Sequence, residues 1–247
     1  MSPLELSSLS SAARWAVTLS SFTLVVVSAR ALGRRGVGDA GGRATPWLPF
    51  LAALAVAAAF AHIPPLTARL PVLFPVGLGL GLLAACASLL VPGARRAFSR
   101  LGDADLRLLL SFRAIFGAML FGLAGVGIMP PRFALAAGLG DLVVGWLALA
   151  APQPLDAEAP RPWRLLVHGL GLVDLVQVVV LAVTVVRPWS DLHANATDTV
   201  TLPWVAVPLM LALNLHGFWQ ACAARQREPG RHGPEPVADV RSAVSRT

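Results

Sequence analysis

Two carboxylates set inside long apolar runs are the residues of this sequence best placed to do chemistry. Asp141 lies in Gly138-Leu139-Gly140-Asp141-Leu142, within an apolar stretch from Phe133 to Ala150. Asp174 lies in Gly171-Leu172-Val173-Asp174-Leu175, within a second stretch from Leu165 to Val186. Each stretch is near the roughly 20 residues that a helix needs to cross hydrocarbon. An ionisable group at that depth is costly, and it marks a proton relay, an ion pathway or a paired structural charge. The chemistry open to it is the uptake and release of a proton, or the binding of a cation.

Arg113 is the natural partner of Asp141. It falls about seven residues inside the cytosolic end of its span, so roughly 10 Å deep at 1.5 Å per residue. Asp141 falls about nine residues from the outer end of the next, antiparallel span, so the two reach similar depth. Gly138, Asp141 and Gly145, at i, i+3 and i+7, share one helical face. Small residues beside a carboxylate let another helix approach closely. Asp174 and Gln177 are likewise read as sharing a face at i, i+3. No basic side chain of matching depth faces Asp174 except His168 or His216. Asn214, His216 and Gln220 add polar groups in the last apolar stretch. The candidates for a substrate or ion site are therefore Asp141, Asp174, Arg113, Asn214 and Gln177, with no catalytic residue and no metal site expected.

No cofactor is expected. The subordinate alternative is a haem held axially by His168 and His216, two imidazoles at similar depth on different helices. The sequence has no CxxC, CxxCH or HExxH, and His62 belongs at the opposite membrane face. Aligning Asp141 with Asp174 also matches Gly138 to Gly171, Leu139 to Leu172, Leu142 to Leu175 and Val143 to Val176. The two segments run antiparallel, which suits a hairpin better than a parallel repeat.

The elements that must position these groups are membrane helices. The 247 residues are 56% hydrophobic and 13% charged, against about 25% charged in an ordinary soluble domain. The spacing predicts an all-α polytopic bundle of about seven transmembrane helices over residues 1–224, and a disordered cytoplasmic tail over 225–247. The spans are Trp15 to Ala31, Trp47 to Ile63, Leu70 to Val91, Leu106 to Met129, Arg132 to Ala151, Trp163 to Val186 and Val200 to Ala223. Pro64-Pro65, Pro92-Gly93, Pro130-Pro131 and Arg187-Pro188-Trp189 separate them, since helices rarely run through such breaks. Ala94 to Leu106 reads as an interfacial connector, and Pro152 to Pro162 as a Pro-rich linker. Pro203 and Pro208 would kink the last span, and broken helices often line transport sites.

All 20 basic residues are Arg, and they cluster between the apolar runs. That is a topology signal and not a nucleic-acid surface. Arg34, Arg35, Arg43, Arg95, Arg96, Arg100, Arg161, Arg225 and Arg227 fall on one side, and Arg14, Arg69, Arg132 and Arg187 on the other. The bias predicts the N-terminus outside and the C-terminus cytoplasmic. A cleaved signal peptide carries its charge before the apolar core, whereas here Arg30, Arg34 and Arg35 follow it. The absence of Lys, with abundant Ala, Gly, Leu and Val, points to a GC-rich bacterial genome and so to the inner membrane. It also excludes a retinal Schiff base, which needs a Lys amine. Cys86 and Cys222 are far apart and form no disulfide framework.

Two functions fit these residues. One is a small proton- or cation-coupled transporter or channel of unknown substrate. The other is a non-catalytic scaffold, assembly or sensor protein whose polar residues hold helices together. The partners expected are the lipid bilayer and a second copy or another membrane protein, with no nucleic acid.

Overall fold

The computed structural model describes residues 3–35, 55–56, 59, 70–127, 129–154, 157–184 and 202–224. Most of the expected second span, the loop from Ser190 to Thr199 and the tail from Arg225 lie outside the described residues. The described elements are helices, with no strand among them: α1 (Pro3–Arg35), α2 (Leu70–Ala87), α3 (Pro92–Ser99), α4 (Asp103–Gly125), α5 (Pro131–Leu149), α6 (Arg161–Thr184), and a π-helical turn (Leu202–Ala206) that runs into α7 (Val207–Ala223).

Four of these segments are long and apolar enough to cross a membrane: Asp103–Gly125, Pro131–Leu149, Arg161–Ala182 and Leu202–Ala223. A fifth is added if α2 and α3, bent by 76°, are taken as one broken span. In α1 the apolar part, Trp15–Ser28, is shorter, although the helix itself runs for 33 residues. Hydropathy marks the length in lipid, while the polar flanks of α1 continue the helix on both sides. The protein is therefore an all-helical, membrane-embedded bundle. Its outer faces agree: Leu135, Leu139, Val143 and Trp146 form an exposed apolar stripe on α5, and Val173, Val176 and Val180 another on α6. Stripes of that size suit lipid or another protein and not water.

Local chemistry sets the ends. In α4 the Gly102 amide donates to Asp105 Oδ2 at 3.1 Å, and Asp103 and Asp105 both sit in the first turn, where the helix dipole favours negative charge. α4 ends at Gly125, and two residues on, Gly127 takes a φ of +77° that a side chain would rarely tolerate. Pro131 then opens α5 at a position whose N–H has no intrahelical partner anyway. The result is a tight hairpin, and α4 and α5 pack along their length. Glycines make this possible. A Cβ on Gly117 would lie 2.5 Å from the Gly138 carbonyl oxygen, and one on Gly145 would lie 2.8 Å from the Ala114 Cβ.

The α2–α3 bend falls at Pro92. α3 is short and amphipathic, with Arg95, Arg96 and Arg100 exposed and Phe98 buried, so the expected interfacial connector is itself a helix. The kink expected in the last span is the π-helical turn. Pro208 has no N–H to give the Trp204 carbonyl four residues earlier. Pro208 packs on Gly81 and the Trp204 ring on Gly77, so α2 closes against the distorted turn. Trp204 is thereby buried in the bundle.

Candidate functional site

Arg113 lies ten residues into α4 (113 − 103) and Asp141 ten residues into α5 (141 − 131), so both reach the middle of their helices. Asp174 stands thirteen residues into the 24-residue α6 (174 − 161). All three meet. Arg113 is fully buried; its Nε donates to Asp141 Oδ1 at 2.7 Å, its Nη1 to the Gly171 carbonyl at 3.0 Å, and its Nη2 to Asp174 Oδ2. One guanidinium thus joins α4, α5 and α6 through charge-assisted hydrogen bonds. The Arg113–Asp141 pair matches the depth argument. The expectation that only His168 or His216 could serve Asp174 is corrected, because the same Arg113 reaches both carboxylates. Its planar fork presents donors in several directions at once, which a single point charge could not do.

The glycines of the two related stretches create the room. A Cβ at Gly140 would overlap the Asp174 carboxylate. A Cβ at Gly171 would overlap the Asn214 carboxamide and lie 3.1 Å from Arg113 Nη1. α6 can therefore bring its charge into the α4–α5 hairpin only where α5 has no side chain. Asn214 of α7 completes the layer. It is fully buried, its Nδ2 donates to Met210 O at 2.8 Å, and its Oδ1 has no hydrogen-bond partner among the described residues. Gln177 is not part of this group. It is exposed on α6, because i and i+3 differ by about 60° around a helix and the second position falls past the edge of the buried face.

The polar interior continues along α7. The His168 imidazole is buried and seated against Gly217, and its Nδ1 has no hydrogen-bond partner among the described residues. His216 turns elsewhere. It stacks on Phe98 with ring centroids 4.3 Å apart and planes 5° from parallel, and its Nε2 is 3.0 Å from Ser88 Oγ. Ser88 gives its own O–H to the Ala85 carbonyl at 2.6 Å, so His216 Nε2 carries the proton of the Ser88–His216 bond. The two imidazoles face different neighbours, His168 the backbone at Gly217 and His216 the Phe98 ring and Ser88. Among the described residues, no group of three or more His, Cys, Asp or Glu side chains could hold a metal ion.

At one end of the layer Asp141 is partly open, with 16% of its side chain exposed. It forms the charged part of the wall of a cavity of about 90 Å³ between α2, α4, α5, α6 and the π-helical turn. The rest of that wall is apolar, including Phe116, Leu120, Phe133, Val178 and Leu202.

A second buried charge group escaped the sequence reading. Asp103 and Arg107 form an ion pair at 3.1 Å with side chains 2% and 4% exposed. Arg107 donates to the carbonyls of Gln153, Pro154 and Ala157 at 3.3, 2.9 and 2.9 Å, and Asp103 accepts from the Ala159 amide at 2.8 Å. In the sequence Arg107 stands at the mouth of the fourth span and Asp103 in the connector before it. In the structure they fasten the α5–α6 linker to the start of α4. Their i, i+4 spacing was the available signal, together with a Pro-rich linker whose carbonyls had no helical partners.

The family profile described as "Domain of unknown function (DUF8737)" matches residues 71–222. The chain belongs to that family. The match takes in α2 to α7 almost whole, with every residue of the Arg113 layer, and leaves α1 outside. No curated protein and no solved structure matches the chain.

Proposed function

We propose that this protein is a small proton- or cation-coupled transporter or channel of a bacterial inner membrane, with Arg113, Asp141 and Asp174 as its coupling site. The observation that carries the reading is the charge ratio of the layer. One buried guanidinium serves two buried carboxylates, so the fully ionised trio holds one negative charge in excess. In a low-dielectric interior an unpaired charge is costly, and a proton or a monovalent cation removes it. Asp141 is the carboxylate with access to a cavity, and so the one that exchanges. Asp174, more enclosed, holds Arg113 while it does so. Asn214 of α7 and His168 of α6 extend the polar layer toward the other end. The proposal includes about seven spans, with the N-terminus outside and the C-terminus cytoplasmic, as the arginine distribution argues.

The test is proton flux into liposomes that hold a pH-sensitive dye, alongside the folded yield of each variant. Asp141→Asn should lower the flux at least tenfold while the yield of monodisperse protein stays within twofold of wild type. A wild type that moves no protons or alkali cations, or an Asp141→Asn variant with undiminished flux, overturns the proposal.

A specific observation favours the second reading, a scaffold, assembly or sensor protein with structural polar residues. Each nitrogen of Arg113 already has an acceptor, and these acceptors lie on two different helices. On that reading Asp141→Asn and Asp174→Asn both cost folded yield, and the wild type carries no current.

A further inference from the structure

We propose that the cavity beside Asp141 is a binding site for a small lipophilic ammonium ion, a protonated alkylamine. As the substrate site of the transporter it rests on the reading above; as a binding site it does not.

The donor chemistry selects the ligand. Of the twelve residues around the cavity, Asp141 alone carries a charge or a conventional hydrogen-bonding side chain. Its Oδ1 takes the Arg113 Nε–H, and its Oδ2 has no hydrogen bond among the described residues. Asp141, with one carboxylate oxygen free of hydrogen bonds among the described residues, thus borders an otherwise apolar space. An anion would meet a like charge there. A hard metal cation would find one carboxylate where it needs about six oxygen ligands. An ammonium group needs only one or two acceptors at one end, and its hydrocarbon needs apolar walls. Leu120, Val178 and Leu202 supply such walls, and Phe116 and Phe133 add rings of the kind that attract cations. The single excess negative charge of the layer matches a single positive charge on the ligand.

Size narrows the class. A cavity of about 150 Å³ lined by aliphatic and aromatic side chains takes up benzene. This one, at about 90 Å³, holds about four non-hydrogen atoms on that scale, so an ammonium group with about three to four carbons fills it. The position fits too. The lining runs from Met129 and Phe133, near the hairpin end of α4 and α5, to Asp141 at mid-helix, so a ligand seated there displaces whatever neutralises the carboxylate. Competition between amine and proton for one carboxylate is the exchange that a proton-coupled amine carrier requires.

The test is calorimetric titration of the full chain in lipid nanodiscs with butylammonium chloride, butan-1-ol and potassium chloride, after subtraction of empty discs. Butylammonium should bind at least tenfold more tightly than butan-1-ol, and potassium should give no saturable heat. Asp141→Asn should bring butylammonium and butan-1-ol within threefold of each other. Val178→Phe fills the cavity without touching a charge, so it should abolish binding of both while the folded yield stays at wild type. Equal binding of amine and alcohol by wild type, or full amine binding by either variant, overturns the proposal. Amine binding without proton flux in liposomes keeps this site and refutes the transport reading. Asp141-dependent proton flux without amine binding does the reverse.

Discussion

Gly140→Ala tests the interlocking of α5 and α6 with one added methyl group. Its Cβ would overlap Asp174 Oδ1 and stand 2.5 Å from Cγ. The obstacle is the end of a side chain, so the carboxylate can swing away, and the cost is what it leaves behind. Losing its hydrogen bond to the Arg113 guanidinium costs about 1.5–3 kcal/mol. An off-rotamer Asp174 adds about 0.5–1.5 kcal/mol. Against these stands the gain of about 1 kcal/mol for Ala over Gly inside a helix. The net expectation is a loss of about 1–3.5 kcal/mol. Gly79→Ala is the control: a Cβ there meets nothing within 4 Å, so only the propensity gain of up to about 1 kcal/mol applies. The two alanine variants should therefore differ by about 1–4.5 kcal/mol, or roughly 5- to 2000-fold in the unfolding constant. Reversible unfolding in mixed micelles titrated with dodecyl sulfate reads this difference directly. The mechanism is checked by repeating Gly140→Ala in an Asp174→Asn background, where most of the cost should vanish because the charge pair is already gone. Equal stability of the two alanine variants refutes the reasoning, as does an undiminished cost in the Asn background.

Arg107→Met should free the α5–α6 linker. It removes three side-chain bonds to linker carbonyls and leaves Asp103 buried without its ion-pair partner, a loss of about 3–5 kcal/mol by the usual cost of breaking a buried pair. Protease cleavage within residues 151–160 should rise at least tenfold, and hydrogen exchange at the Ala159 amide should quicken in parallel. The proposed orientation is checked with Ser99→Cys and Arg132→Cys in a Cys86→Ala, Cys222→Ala background, both sites being exposed. A membrane-impermeant maleimide should label only Arg132→Cys in intact spheroplasts and only Ser99→Cys in inverted vesicles, and the opposite pattern reverses the topology.

Span identity was legible because hydrocarbon imposes a length. α4, α5, α6 and the π-helical turn with α7 begin and end within a few residues of the expected limits, and their Pro and Gly breaks fall where the bends are. Depth was legible for the same reason: rise per residue converts sequence position into height, and that alone paired Arg113 with Asp141. Rotation about the helix axis was not. The second partner of Arg113 depends on how α6 turns toward the α4–α5 hairpin, and near-uniform Leu and Val around α6 leave little amphipathic signal for that angle. The same ambiguity placed Gln177 beside Asp174 when it points outward. The Asp103–Arg107 anchor was missed for a different reason. A charge at a span end is ordinarily solvated, and only the fold of the linker over it reveals its burial.

The resemblance between the two Gly-Leu-x-Asp-Leu-Val stretches takes on a different meaning from duplication. Matched positions in a duplicated motif should do matched work, and here they do not. Gly138 lets α5 approach Gly117 and Phe121 of α4, whereas its counterpart Gly171 makes room for Asn214 and Arg113. The glycine that receives Asp174 is Gly140, and its counterpart is Val173, which is 65% exposed. Asp141 borders the cavity, and Asp174 does not. The shared pattern is what any membrane helix needs in order to bring a carboxylate to a shared guanidinium: a small residue one turn away and apolar residues around the rest of the surface. Two helices meeting the same Arg113 from different sides satisfy that need independently. The proposed division of labour, one carboxylate for exchange and one for holding the arginine, requires that their environments differ.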